Sequence, residues 1–175
     1  MRARRRVWRA STIGSLLVAA GLVAVALVLE RLVPPLHGAV RVVDGDSLEL
    51  DGERIRLDGI DAPELRQSCG PPSAAWACGL KAREALRRAA EAGGVSCRPL
   101  DGDRYGRTVA VCRAGEADLG RAMVEAGLAV ATGLAYAPEE AAARAARRGL
   151  WSGPFDTPAA WRRQHQREEA ADGGG

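Results

Sequence analysis

Six residues in two stretches of this 175-residue chain have the types and spacing to do chemistry together. The stretch Val42–Glu64, VVDGDSLELDGERIRLDGIDAPE, holds Asp44, Asp46, Arg56, Asp61 and Glu64, and Asp103-Arg104-Tyr105-Gly106-Arg107 adds Arg107. Hydrolysing a phosphodiester needs a cation and hydrogen-bond donors to neutralise charge growing on the phosphorus oxygens, and a base to activate water. A hard cation takes carboxylate and carbonyl oxygens, which Asp46 and Asp61 offer from neighbouring strand ends, with Asp44 behind them. Glu64 is the candidate general base. Arg56 and Arg107 are candidate phosphate clamps, because the guanidinium is a planar two-donor fork. Blander roles compete for each residue. Asp44 and Asp46 suit a solvated turn and Asp61 a loop cap. Glu64 suits an exposed loop, Arg56 a pair with Asp58 on its own strand face, and Arg107 a surface charge at a hairpin end.

These side chains need a frame. Ala39–Asp44 and Ser47–Asp51 read as short strands around an Asp-Gly-Asp turn, and Asp51-Gly52 is a two-residue hairpin signal. Arg54–Gly59 alternates, with Ile55 and Leu57 on one face and Arg56 and Asp58 on the other. A three-stranded meander is expected, with Arg56 on its polar face. A loop follows from Glu64 to Gly79, then a helix over roughly 74–92 stopped by Gly93-Gly94. Val95–Leu100 and Arg107–Arg113 read as a second hairpin. Asp118 is an N-cap for a short helix ending at Gly127, residues 128–132 are extended, and Pro138 opens a helix over 139–148 stopped by Gly149. Trp151 and Trp161 are candidates to hold this end down. The expected class is α+β, mainly β: a five-stranded OB-type barrel with about three helices.

The three motifs Val43-Asp44-Gly45-Asp46-Ser47, Arg56-Leu57-Asp58-Gly59-Ile60-Asp61-Ala62-Pro63-Glu64 and Asp103-Arg104-Tyr105-Gly106-Arg107 resemble those of the staphylococcal nuclease (thermonuclease) family, over about residues 38–152. The resemblance implies a Ca²⁺-dependent endonuclease leaving 3′-phosphate ends, with DNA and/or RNA as substrate and no small-molecule cofactor. It implies Asp46, Asp61 and the main-chain carbonyl of Ala62 as metal ligands. The family often has Thr at the Ala62 position, and a carbonyl ligand tolerates the change. Tyr105 and Tyr136 resemble aromatic positions of the family's nucleotide pocket, while Leu134 stands where a second tyrosine is found in the best-matching member. Core packing is the alternative for Tyr136.

Composition sets the surroundings. Hydrophobic residues are 47% but aromatics only 4%, so the core must be built from Leu, Val, Ile and Ala. The net charge is +3, yet Arg2, Arg4, Arg5, Arg6 and Arg9 supply five positives, which leaves 3 − 5 = −2 for the rest. A globally basic nucleic-acid-binding surface is thereby excluded, and local arginines must do that work. After the basic tail 1–11, residues 12–33 contain an uncharged run, 12–29, that would span ~27 Å as a helix, close to a ~30 Å hydrocarbon core. A transmembrane signal anchor is expected there, or a cleaved signal peptide that would give a secreted protein. The arginines would keep the N-terminus inside and place the domain, periplasmic or at the cell surface, outside. A linker at 34–38, a domain over 39–165 and a disordered tail at 166–175 complete the division. Cys69, Cys78, Cys97 and Cys112 are disulfide candidates in an exported monomer, with three possible connectivities. The rival to a nuclease is a non-catalytic OB-fold module of the cell envelope that binds nucleic acid or protein.

Overall fold

The computed structural model describes residues 14–25 and 34–172. The chain divides into two units, Met1–Pro34 and Pro35–Gly175. In the first, residues 14–25 form helix α1. Among the described residues no helix is long and apolar enough to cross a membrane. The expected span over 12–33 lies partly outside them, at 12–13 and 26–33.

In the second unit the meander is β2 (Val40–Val42), β3 (Ser47–Leu50) and β4 (Glu53–Leu57), and the later hairpin is β6 (Val95–Gly102) with β7 (Thr108–Ala114). The Asp51-Gly52 turn has both φ values positive, 49° and 87°, as a tight hairpin between right-twisted strands requires. Four two-residue strands join these five: β1 (Leu36–His37), β5 (Ile60–Asp61), β8 (Ala117–Asp118) and β9 (Val130–Ala131). The main sheet runs β1-β6-β7-β4-β3-β2, with β8 added to β7, and β5 pairs with β9 in a separate ribbon. β1 and β2 therefore sit at opposite ends of one long sheet, the layout of a half-barrel. The expected five strands are its body. The extra four are too short to show any alternation in sequence.

Helices α2 (Cys78–Ala90), α3 (Leu119–Glu125), α4 (Ala137–Ala145) and α5 (Pro158–Asp172) complete the unit. Asp118 caps α3, its carboxylate accepting from the Arg121 N–H at 2.9 Å. A fourth helix, α5, occupies most of what was expected to be a disordered tail from 166. Thr157 explains it: its Oγ1 accepts from the Ala160 N–H at 3.3 Å, Pro158 opens the first turn, and Ala, Arg, Gln and Glu follow. The core holds Leu48, Ile55, Leu57, Ile60, Leu86, Leu119 and Met123, all at most 2% exposed, with Tyr136 as its one aromatic member among the described residues. Fully burying each such aliphatic side chain contributes ~1.5–3 kcal/mol.

All four candidate cysteines are bridged, in one of the three possible connectivities. Cys97 and Cys112 face each other across β6 and β7, with Cα atoms 4.0 Å apart. Cys69–Cys78 ties the loop after Glu64 to the first turn of α2. That turn closes tightly on the loop, because a Cβ on Gly79 would fall onto the Glu64 carbonyl oxygen.

Candidate active site

The Asp-Gly-Asp turn connects β2 to β3 under hydrogen bonds of its own making. Asp44 Oδ1 accepts from the Asp46 N–H at 3.0 Å. Gly45 fits between α2 and the next loop, since a Cβ there would lie 2.7 Å from the Ala82 Cβ and 2.6 Å from that of Ala62. The turn thus pushes the Asp46 side chain inward, where it is 5% exposed. Its Oδ2 accepts from the Ala62 N–H at 2.9 Å and its Oδ1 from the Ser47 hydroxyl at 3.0 Å. Burial raises the Asp46 pKa above the ordinary carboxylate value and Asp44 adds to this, while Arg56 pulls the other way.

Arg56 lies on β4 directly across from Ser47 on β3. It bridges the two candidate ligands: Nη1 is 2.7 Å from Asp46 Oδ1, and Nη2 is 3.1 Å from both Asp61 Oδ1 and the Ile60 carbonyl. The expected alternative of a pair with Asp58 is not what its guanidinium makes. Burial lowers the Arg56 pKa, but Asp46 and Asp61 outweigh it and the net direction is upward. Asp61 is held by the β5–β9 ribbon opposite Val130 and is 5% exposed.

Arg107 arrives from the second hairpin. The parallel pairing of β4 with β7 sets Ile55 against Thr108, so the residue before Thr108 lands beside the arginine-bearing strand. Asp103 aims it. The Asp103 carboxylate accepts from the Arg107 N–H at 3.0 Å and from its Nε at 2.8 Å. These bonds, led by the backbone one, hold the Asp103 pKa down at about 2. Arg107 Nη1 also reaches Ser47 Oγ at 3.4 Å. Tyr105 is 58% exposed on the rim, with the Arg104 guanidinium 4.8 Å from its ring centre.

A cleft of ~650 Å³ is lined by Asp44, Asp46, Arg56, Ala62, Glu64, Tyr105 and Arg107, and also by Arg54, Asp103, Arg104 and Arg162. Tyr136 does not line it. It is 6% exposed in the core, against Gly59 and Gly120, and its hydroxyl donates to Asp118 Oδ1 at 3.1 Å. Burial and the Asp118 charge push its phenol up to about 12. Tyr136 is thus placed in the core rather than on the cleft wall, as the core-packing alternative expects, with the Arg121 guanidinium 6.0 Å from its ring centre.

Three residues of the site were not singled out from sequence. Asp103 opens the Asp103–Arg107 motif. Gln67, 1% exposed, accepts from the Glu64 N–H at 3.2 Å and donates to the Asp156 carbonyl at 2.7 Å, so it ties the Glu64 loop to the chain before α5. Arg162 on α5 forks onto Asp61, with Nη1 to Oδ1 and Nη2 to Oδ2 both 3.0 Å, and its Nη1 is 2.8 Å from Glu64 Oε1. Thr157-Pro158 was a signal for α5, but no local signal joins residue 162 to residue 61.

Residues 54–153, more than half the chain, match the family described as staphylococcal nuclease homologue. The chain belongs to this family. The micrococcal nuclease of Shigella flexneri is 34% identical over 174 residues, covering 85% of this chain and 95% of that protein. Protein ParB of Escherichia coli is 35% identical over 172 residues, covering 86% and 92%. Succinoglycan biosynthesis protein ExoI of Rhizobium meliloti is 37% identical over 125 residues, 67% of this chain, which spans 65% of that protein's length. The site is nuclease-like.

Nucleases of this family are Ca²⁺-dependent in general, and the donor set here has the chemistry such a cation needs. Asp46 and Asp61 are oxygen donors on either side of one guanidinium, with the Ala62 main chain alongside. Among the described residues no three His, Cys, Asp or Glu side chains converge as a metal-binding group. Two carboxylates completed by a carbonyl and waters would not form such a group, so the oxygen set fits a hard cation and not zinc.

Proposed function

We propose that this chain is a Ca²⁺-dependent endonuclease hydrolysing phosphodiester bonds of DNA and/or RNA, and that it works outside the cytoplasmic membrane, anchored through residues 12–33. The observation that carries the assignment is the convergence of Asp46, Arg56, Ala62, Glu64 and Arg107 on one cleft, with Asp61 joined to it through Arg56. A bound cation would supply charge neutralisation at a phosphate oxygen and a site for water, held by Asp46, Asp61 and the Ala62 carbonyl. Glu64 takes a proton from the attacking water as the new O–P bond forms. Arg56 and Arg107 donate to the non-bridging oxygens, whose charge grows toward the transition state. The P–O5′ bond breaks, the 5′ oxygen leaves and is protonated, and a 3′-phosphate remains. A binding module that never cuts would have no use for a base and two clamps around one cleft.

Two disulfides suit an oxidising compartment, and the arginines before the apolar run suit an inside N-terminus. The purified full chain is incubated with supercoiled plasmid in Ca²⁺ or in chelator. Relaxed circles are expected in Ca²⁺ alone, and an intact plasmid with folded, disulfide-bonded protein would overturn the enzyme assignment. A mature N-terminus near residue 35 would overturn the anchor.

A further inference from the structure

Arg162 stands 101 residues beyond Asp61 and 98 beyond Glu64, on a helix outside the sheet. Yet it makes three charge-assisted contacts of 2.8–3.0 Å with those two carboxylates. Both Asp61 oxygens are occupied by its fork, and Oδ1 accepts from Arg56 as well. The charges alternate in a row: Asp46, Arg56, Asp61, Arg162, Glu64. The inner arginine, Arg56, is enclosed on β4, with 22% of its side chain exposed. Arg162 is at the rim, with 37% exposed. A guanidinium held at a rim by charge alone can leave without emptying the core.

A hard cation takes a carboxylate through the same lone pairs that the Arg162 fork now fills. Resting on the cation-dependent activity proposed above, we propose that Arg162 is the exchangeable counter-ion of this site. It neutralises Asp61 and Glu64 while no divalent cation is bound, and it gives up Asp61 when one enters. Cation binding then carries the cost of breaking the fork, and α5 loses the Arg162 contacts to Asp61 and Glu64. Glu64 is freed in the same event, so the base becomes available only when the cation is present.

Calcium is titrated into the disulfide-bonded full chain and into Arg162→Gln and Arg162→Lys variants, by calorimetry and by thermal shift. The Gln variant is expected to bind Ca²⁺ roughly tenfold tighter, because a competing positive charge is gone. It should melt lower without the cation and gain more on its addition. The Lys variant keeps the charge without the fork and should fall between. In the parent, backbone amides of α5 should exchange faster with Ca²⁺ than without, a measurement that needs no variant. Equal or weaker binding by Arg162→Gln, or unchanged exchange in α5, would overturn this inference while leaving the cation site standing. No binding by any of the three proteins would overturn the cation site and this inference together.

Discussion

Two parts of the molecule meet at the cleft, and they are held there by different forces. The inner part, residues 44–64, brings Asp44, Asp46, Arg56, Asp61 and Glu64 from one continuous stretch. Ladder hydrogen bonds of β3 and β4, the Asx turn at Asp44 and the Ala62 N–H on Asp46 set their positions. The outer part consists of Arg107 on the β6–β7 side and Arg162 on α5. Each is delivered by a separate element and held by carboxylates: Asp103 for the first, Asp61 and Glu64 for the second. The inner part depends on the β3–β4 ladder and on short bonds from the Asp44 and Asp46 carboxylates to neighbouring backbone N–H groups. The outer part depends on charge and on how its elements dock, so salt, pH and disulfide loss act on it first.

Substitutions in the inner part should act first on chemistry. Glu64→Gln removes the base and should lower cleavage ~10²–10⁴-fold, read on a fluorogenic oligonucleotide, with only a small drop in melting temperature from the weakened contact to Arg162. Arg56→Ala removes a transition-state donor and should lower cleavage ~10²–10³-fold. It also leaves Asp46 buried without its ion-pair partner, so a drop in melting temperature should accompany the loss.

The outer part should respond more in stability than in chemistry. Replacing Cys97 and Cys112 by Ser opens a loop of 15 residues and should cost ~3 kcal/mol in denaturant unfolding. The hairpin that presents Arg107 would loosen, and activity should fall with it. On the rim, Tyr105→Ala should weaken nucleotide binding by ~1–3 kcal/mol if a base stacks there. Tyr136→Phe should leave that binding unchanged and cost ~1 kcal/mol of stability, through the lost bond to Asp118. A large effect of Tyr136→Phe on nucleotide affinity would return Tyr136 to the cleft.

The smallest effect is a pH dependence. The folded Asp103 pKa, about 2, is depressed below its ordinary 3.8. Its contribution is therefore fully present above about pH 4 and is lost as pH falls through about 2. Asp103→Asn should therefore lower stability at neutral pH and flatten its acid limb, the parent and the variant converging as pH falls through about 2.

Most of the inner part was legible in sequence. Asp51-Gly52 permits one kind of turn, Ile55 and Leu57 alternate with Arg56, and Asp44-Gly45-Asp46 can hydrogen-bond within itself. These are relations between near neighbours, and the chain must satisfy them locally wherever it folds. Tyr136 shows the limit. Its resemblance to an aromatic position of the family suggested a pocket, but burial depends on what closes over a side chain, and α3 and the Gly59 turn close over this one. Gln67 shows the same limit: a polar residue in a loop gives no sign that it will be enclosed and bonded to Asp156.

What the sequence determined by itself, then, was the strands of the meander, the cysteines available for bridging, and the chemistry offered by Asp46, Arg56, Asp61, Glu64 and Arg107. Tertiary structure alone decided that Arg107 stands beside β4, through a parallel pairing between strands some fifty residues apart. It alone decided that Arg162 closes on Asp61 across 101 residues. Turns and strands follow from dihedral preferences and side-chain period, which act over a few residues. A salt bridge between distant elements follows from where a helix docks, and docking is a property of the whole core rather than of any segment within it.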